Sequence, residues 1–211
     1  MKSIRRYYLE NLIIKNKKYI YGNILDIGGT KNSKNFFKSF LSKNCIINTL
    51  NTNPKTFPDI LANIENYTNK EQIKYDSVTC FEVLEYIKDT KKFFQIIYRI
   101  LKKESFFIFS VPFLHPMHGD FKQDLKRYTF SQLSYFLKKT KFKKYRIITM
   151  GSLGSVIYDI LRVGFTYGSL KKKSILVYIL ISFKWLFLLI DIFTKEKSFF
   201  INTGYFVVAK K

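Results

Sequence analysis

The sequence has few acidic residues, few prolines and little cysteine. Only 15 of its 211 residues are Asp or Glu, against 37 Lys or Arg, and it has four prolines and two cysteines. Two cysteines without metal-ligand spacing exclude a disulfide framework and a cysteine-based metal site, so we expect no metal and a reducing, cytoplasmic setting. Residues 1–10 show no apolar core typical of a signal peptide. A chain this long and 47% hydrophobic is expected to form one domain, 1–211.

The formal net charge of +22 invites a nucleic-acid interpretation. The basic residues are nearly all lysine and are spread along the chain, whereas arginine is the usual bidentate reader of phosphates and bases. We therefore expect no nucleic-acid partner. A solvated surface with weak attraction to anionic membranes or anionic substrates fits the charge better.

The stretch Asn23-Ile24-Leu25-Asp26-Ile27-Gly28-Gly29-Thr30 is the most informative in the chain. Its apolar run predicts a short buried strand, and its glycines predict a tight turn that a ligand can approach closely. Apolar residues then recur at helical spacing over 33–42, which predicts a helix. Strand, glycine turn and helix in this order bind nucleotide-like ligands at the carboxyl edge of an α/β sheet.

Strands and helices alternate along most of the chain. Helices are predicted over 3–20, which would pack over the sheet edge or the ligand, and over 90–101 and 129–138. Buried, non-alternating strands argue for a mostly parallel sheet flanked by helices. With the opening strand, the predicted strands number seven, the others being 45–50, 58–64, 76–81, 105–111, 145–150 and 204–209.

Residues 152–198 interrupt this rhythm as an apolar helical insertion before the last strand. The segment 175–193 contains 19 residues, of which only Lys184 and Asp191 are charged. It is just long enough to span a bilayer, but a single crossing would separate the last strand from its sheet. Its lysine flanks favour a helix lying on an anionic membrane surface, or a re-entrant one. A packing helix or a homodimer helix is the alternative.

The loop 112–129, PFLHPMHGDFKQDLKRYT, is dense in titratable groups and follows the fifth strand. Such a loop at the carboxyl edge of the sheet is a candidate site. It contains both histidines of the chain and four further polar candidates: His115, His118, Asp120, Asp124, Arg127 and Tyr128.

The order ILDIGGT, LNTNP, PDILANIEN, YDSVTCFEVLEYIKD and SFFIFSVPF resembles the class I S-adenosylmethionine-dependent methyltransferases. The resemblance covers about 22–150, and GYFVVAKK matches the last strand of that fold. The loop 112–129 is similar to a subset found among bacterial cell-surface polysaccharide enzymes. The resemblance implies a Rossmann-like fold and S-adenosyl-L-methionine as cofactor.

Position by position, the resemblance implies a cofactor site. Asp26, Gly28 and Gly29 match the loop that holds the amino-acid end of the cofactor. Phe81 and Glu82 follow the fourth strand, beside the reactive methyl group. Two further positions depart from the family pattern, as described next.

Amides occupy both positions where the family has an acid that grips the nucleoside. Asn51 stands at the ribose-binding acid, and Asn63 stands where an aspartate meets the adenine amino group, with Ile64 packing near the adenine. A hydrogen bond to a charged group contributes about 1.5–3 kcal/mol and a neutral one about 0.5–1.5 kcal/mol. We therefore expect weaker cofactor binding, by about 1 kcal/mol, at Asn51.

The resemblance also assigns roles in the loop. His118 matches the family histidine and would act as the base that activates a hydroxyl, with Asp124 orienting it. His115, Asp120, Arg127 and Tyr128 would contact an acceptor, Arg127 through an anionic group. The alternatives are that the histidines only line the loop, that Arg127 forms a salt bridge within it, and that Tyr128 belongs to the core.

Three functions follow from these expectations. The first is an O- or N-methyltransferase acting on a sugar, glycan or phosphate-bearing precursor of a surface polysaccharide. The second is an RNA methyltransferase, which the scarcity of arginine disfavours. The third is a membrane-associated protein that has kept the fold and lost catalysis. The fold alone does not decide between them.

Overall fold

The computed structural model describes residues 3–68, 73–117, 122–167 and 175–211. Seven strands and seven α-helices are assigned there. The strands are β1 (Asn23–Ile27), β2 (Ile46–Asn51), β3 (Ile60–Leu61), β4 (Tyr75–Phe81), β5 (Leu101–Pro112), β6 (Lys144–Met150) and β7 (Gly204–Lys210). The helices are α1 (Ile4–Lys15), α2 (Lys31–Lys38), α3 (Thr90–Ile100), α4 (Phe130–Lys139), α5 (Leu153–Tyr167), α6 (Ile175–Ser182) and α7 (Lys184–Phe193).

The strands form one sheet in the order β3-β2-β1-β4-β5-β7-β6. β1 pairs in parallel with β2 and β4, and β7 is antiparallel to both β5 and β6. The predicted mostly parallel, seven-stranded Rossmann-like sheet is confirmed. The strand order reverses between β1 and β4, and ligands of open α/β sheets bind outside the carboxyl ends of the strands at such a point.

Both faces of the sheet are covered, which explains the continuous apolar runs of the strands. Leu25, Val78 and Phe107 lie side by side in register on β1, β4 and β5, and all three are fully buried in the larger core. Helix α3 packs its apolar stripe, including Phe93 and Ile97, against this face. The smaller core on the other side includes Ile24 and Ile108.

Local capping shifts several helix boundaries from the predicted ones. The first helix ends at Lys15 and not at residue 20, because a 3₁₀ turn follows at Lys17–Tyr19. Helix α2 begins early, at Lys31, because Thr30 and Ser33 form a reciprocal capping box.

The predicted continuous helix over 175–193 is wrong, because the segment forms two helices that are interrupted at Phe183. The second of them, α7, lies against α5 so closely that a side chain at Gly154 would overlap the Phe187 carbonyl. Because the two helices are separate, α7 can run along α5 in a direction that does not depend on α6. Among the described residues, none of the helices has both the length and the apolarity to cross a membrane.

Two buried aspartates tie the insertion to the sheet domain. Asp191 of α7 accepts hydrogen bonds from the Ser155 backbone N–H at 2.9 Å, at the start of α5, and from the Tyr8 hydroxyl at 2.9 Å. Asp159 of α5 accepts from the backbone N–H groups of Ile4 and Arg5, at 3.2 and 3.3 Å. Each carboxylate therefore satisfies helix N-terminal donors that would otherwise be buried without a partner.

Candidate functional site

The glycine turn after β1 brings the backbone close to neighbouring elements at the carboxyl edge of the sheet. Gly28 has φ +76°, and its N–H donates to the Leu50 carbonyl at 2.7 Å. A Cβ added at Gly28 would lie 2.3 Å from Cγ2 of Val83. Both the left-handed conformation and the contact require glycine at this position.

Asp26 lies beneath this turn and is almost fully buried. Its carboxylate accepts hydrogen bonds from Thr79 Oγ1 and Ser33 Oγ, both at 2.7 Å. Burial raises the pKa of Asp26 to about 6, although the two hydroxyls oppose that shift. Asp26 therefore joins β1 to β4 and to the first turn of α2.

A cavity of about 420 Å³ opens beside the turn. This volume falls in the range of small-molecule sites. Its lining comes from β1, the turn, α2, the end of β4 and α1, and consists of Arg6, Glu10, Ile13, Asp26, Ile27, Gly28, Thr30, Asn32, Ser33, Phe36, Phe37 and Phe81.

Helix α1 brings a cation and an anion to this cavity. Arg6 Nε donates to Glu10 Oε1 at 2.9 Å, one helical turn apart. Neither residue was predicted from the sequence to belong to the site. The available signal was the i,i+4 spacing of opposite charges on a helix expected to cover the ligand.

Asn51 does not line this cavity but holds the glycine turn in place. Its Nδ2 donates to the carbonyl oxygens of Gly28 and Gly29, both at 3.0 Å. Its Oδ1 accepts from the Asn53 N–H at 3.0 Å. An aspartate would have no donor for the two carbonyls, which gives a structural reason for the amide.

The other predicted nucleoside contacts lie apart from the cavity lining. Asn63 accepts from the Glu65 N–H at 2.9 Å and so caps a 3₁₀ turn. Ile64 is buried in the larger core. Of the two residues after β4, Phe81 lines the cavity and stacks on Phe206, with 6.1 Å between ring centroids.

Glu82 is held by a different set of contacts. It adopts φ +58°, which is uncommon for a residue with a side chain. Its Oε1 accepts from Ser110 Oγ at 2.6 Å, and its Oε2 forms an ion pair with Arg5. The described contacts therefore point Glu82 toward β5 and α1.

A second cavity, of about 670 Å³, lies beneath the loop that follows β5. The loop, the residues before α4 and the helix α5 form its walls. Its lining is largely apolar but includes three of the predicted acceptor and catalytic residues, His115, Asp124 and Arg127. The complete lining consists of Phe113, Leu114, His115, Pro116, Met117, Asp124, Leu125, Lys126, Arg127, Val156 and Ile160.

Arg127 and Asp124 form a bidentate ion pair in the wall of this second cavity. The longer of the two contacts joins Nη2 to Oδ2 at 2.8 Å. The hydrogen bond to Asp124 raises the pKa of Arg127. This is the salt bridge that the sequence left open as an alternative to anion binding, and it occupies both oxygens of the carboxylate predicted to orient His118.

The remaining loop candidates are placed differently. His115 is nearly buried, with Nδ1 2.8 Å from the Pro116 carbonyl and Nε2 3.6 Å from Asp159 Oδ2. Tyr128 lies in the core, where its hydroxyl is 2.7 Å from Thr90 Oγ1. His118 and Asp120 lie outside the described residues.

Buried charges near both cavities are the feature that sequence reasoning missed. Burial lowers the pKa of Arg5 to about 10, and burial raises the pKa of Glu85 to about 7. Burial also raises the pKa of Asp159. Carboxyl groups whose pKa is raised by burial are found preferentially at functional sites. Glu85 follows β4 in the sequence, whereas nothing marked Arg5 as buried.

The described residues contain no recognisable metal site. Among residues 3–68, 73–117, 122–167 and 175–211, no group of three or more His, Cys, Asp or Glu side chains is arranged to hold an ion.

A sequence profile described as a methyltransferase domain matches residues 21–147. No curated protein sequence matches the chain. Among solved structures, a methyltransferase of Archaeoglobus fulgidus described as dependent on S-adenosylmethionine superimposes with TM-score 0.63 at 12% identity, covering 98% of this chain and 94% of that one.

Two other groups of solved structures are similar. Phosphoethanolamine N-methyltransferase 2 of Haemonchus contortus, in complex with phosphomonomethylethanolamine and S-adenosylhomocysteine, gives TM-score 0.61 at 19% identity over 96% of this chain. The chain spans about half of that protein, 52%. The plantazolicin methyltransferase BpumL in complex with S-adenosylhomocysteine gives TM-score 0.58 at 13% identity, covering 98% of this chain and 83% of that one.

Proposed function

The chain belongs to the methyltransferase-domain family, and we propose that it transfers a methyl group from S-adenosyl-L-methionine to an oxygen or nitrogen of an acceptor. The acceptor class is a sugar, glycan or phosphate-bearing precursor of a bacterial surface polysaccharide. The observation that carries the proposal is the cavity on the glycine turn of β1, at the carboxyl edge of the family fold.

The residues of this cavity fit the cofactor. Its methionine end carries an ammonium and a carboxylate, and the cavity offers Glu10 for the first and Arg6 for the second. The glycine turn leaves room for close approach, and Phe81 provides an apolar wall. When bound, the cofactor would supply a methyl group on a sulfonium, and an aligned nucleophile that attacks this carbon in line would release S-adenosylhomocysteine as the leaving thioether.

The second cavity is the proposed acceptor site. Arg127 is paired with Asp124 in its wall, so the excess positive charge there comes from Lys126, which fits an acceptor with a phosphate or carboxylate. Similar structures include a complex with phosphomonomethylethanolamine, a small phosphate-bearing amine. A hydroxyl acceptor needs a base, and His118 is proposed for that role, with His115 and Asp120 as acceptor contacts.

We propose that the protein acts in the cytoplasm, with peripheral contact to the inner face of the cytoplasmic membrane. The sequence supports this location through its two cysteines and its basic, apolar segment before β7.

Calorimetry with S-adenosylhomocysteine tests the cofactor proposal. Gly28→Ala places a methyl group 2.3 Å from Val83 and strains a left-handed residue, so we expect at least a tenfold loss of affinity. Gly164→Ala is the matched control, because nothing lies within 4 Å of the added carbon. A folded wild-type protein that does not bind at millimolar ligand would favour the lapsed-enzyme alternative.

A further inference from the structure

The helices before β7 expose an unusual amount of apolar surface. Here the "α6–α7 surface" denotes the exposed apolar side chains between Tyr178 and Phe200. Its most exposed members include Phe193 at 85%, Phe200 at 74% and Ile192 at 67%. Large exposed apolar side chains concentrated in one segment are typical of an interaction surface.

Helix α7 is apolar on two opposite sides. Its inner side, with Phe187 and Leu188, packs against α5, and its buried Asp191 caps that helix. The outer side has the spacing i, i+4, i+7 and i+8, which places its members on one face: Trp185, Leu189, Ile192 and Phe193. A helix that is apolar all round is normally covered on all sides, so the outer side needs a partner.

The dimensions of the two helices favour a partner that covers them lengthwise. At 1.5 Å per residue, the eight residues of α6 and the ten of α7 span about 12 and 15 Å. The hydrocarbon core of a bilayer is about 30 Å thick. The α6–α7 surface therefore suits a position in the plane of a membrane interface, where aromatic side chains such as Trp185 are favourable.

Charge decides between a bilayer and a second copy of the chain. Lys184 begins α7, and Lys195 and Lys197 follow it with one exposed acid, Glu196, between them, which leaves an excess of positive charge next to the apolar surface in the chain. With a net charge of +22, two copies repel each other, whereas anionic lipid headgroups attract the chain. Each lysine near such a surface contributes about 1 kcal/mol to binding.

Helix α5 contacts both α7 and the proposed acceptor cavity. Val156 and Ile160 of α5 line that cavity, and Leu161 packs on the inner side of α7. Ile157 and Ile160, one helical turn apart, are exposed between these two contacts. Exposed Ile157 and Ile160 therefore continue the apolar lining of the acceptor cavity along α5, the helix on which α7 packs.

We propose that the α6–α7 surface docks on an anionic phospholipid bilayer and orients the acceptor cavity toward acceptors anchored in that bilayer by an apolar chain. The orientation of the acceptor cavity rests on the proposed methyltransferase function, whereas the docking of the surface does not. Head groups would enter the second cavity, while the apolar chain follows Ile160 and Ile157 toward the lipid.

Trp185 provides the test, because it is the only tryptophan in the chain and is 55% exposed on this surface. Its emission is recorded while vesicles of phosphatidylglycerol and phosphatidylcholine, or of phosphatidylcholine alone, are added. We expect a blue shift and cosedimentation with the anionic vesicles, both weakened by salt. Brominated acyl chains should quench the emission.

Matched double variants locate the surface. Ile192→Glu with Phe193→Glu should weaken vesicle binding at least tenfold. Ile46→Glu with Leu61→Glu makes the same charge change at similarly exposed sites on β2 and β3, near the opposite edge of the sheet, and should retain most of the binding. Circular dichroism and S-adenosylhomocysteine affinity verify that each variant is folded.

Three outcomes would overturn the docking proposal. They are an unchanged Trp185 emission with anionic vesicles, equal loss of binding in both double variants, and a concentration-dependent blue shift without lipid together with a dimer mass by light scattering. A protein that binds vesicles but not the cofactor would refute the proposed function while leaving the docking surface intact.

Discussion

Replacing Asn51 by aspartate distinguishes two roles for this residue. A ribose-binding position predicts tighter cofactor binding, because a carboxylate accepts stronger hydrogen bonds from hydroxyls than an amide does. The structure predicts the opposite sign. The amide nitrogen donates to the carbonyls of Gly28 and Gly29, and a carboxylate there would replace two donors with negative charge.

The size of the effect follows from the two lost hydrogen bonds. At about 0.5–1.5 kcal/mol each, their removal lowers the free energy of unfolding by about 1–3 kcal/mol, before repulsion from the carbonyl oxygens is added. Because these bonds fix the glycine turn that lines the cavity, we expect cofactor affinity to fall at least fivefold.

Urea unfolding and calorimetry with S-adenosylhomocysteine measure the two effects. Asn53→Asp is the matched control, because it adds the same charge two residues away. Its side-chain oxygen only accepts, from the Lys55 N–H at 3.0 Å, and a carboxylate can replace it there. An Asn51→Asp protein as stable as wild type that binds more tightly would refute the structural role and restore the ribose-binding interpretation.

Three further predictions concern buried charges. Glu85→Gln should flatten the pH dependence of stability. The folded pKa of Glu85 is about 7, above the ordinary 4.5, so its contribution makes the free energy of unfolding fall as pH rises from about 4.5 to 7. Chemical denaturation at pH 5, 6, 7 and 8 shows whether this fall is smaller in the variant. Asp191→Ala should lower the free energy of unfolding by about 2–4 kcal/mol because it leaves the buried backbone N–H groups of Ser152 and Ser155 without this acceptor, whereas exposed Glu196→Ala should change it by less than about 0.5 kcal/mol. Arg127→Lys keeps the charge but loses the bidentate pair with Asp124, so the free energy of unfolding should fall by about 1 kcal/mol, which thermal denaturation measures. An unchanged melting temperature would count against a structural role for that pair.

The sequence predicted the sheet well because burial on both faces leaves a strong signal. Strands such as β1 and β4 carry apolar runs that only a covered, parallel sheet accommodates. Helix ends were less predictable because they depend on single hydrogen bonds. The capping box of Thr30 and Ser33, which starts α2 early, is one case.

The candidate site was predictable only where residue type and backbone geometry coincide. Gly28 and Phe81 line the first cavity, and a glycine in a turn after a buried strand is a local signal. Asn51 was not interpretable in this way, since its donor contacts to the glycine turn come from tertiary structure. Arg5 and Glu85 were missed because burial of a charge leaves no pattern in the chain.

Amide hydrogen exchange with and without S-adenosylhomocysteine tests whether the β1 cavity binds the cofactor, since it reports both binding and its location. We expect slower exchange in 24–37, around β1 and α2, and in 4–14 of α1, where Arg6 and Glu10 face the cavity. Segments 113–117 and 122–127, which surround the proposed acceptor site, should change little. Protection confined to those segments, or no protection at saturating ligand, would contradict the assignment of the β1 cavity to the cofactor.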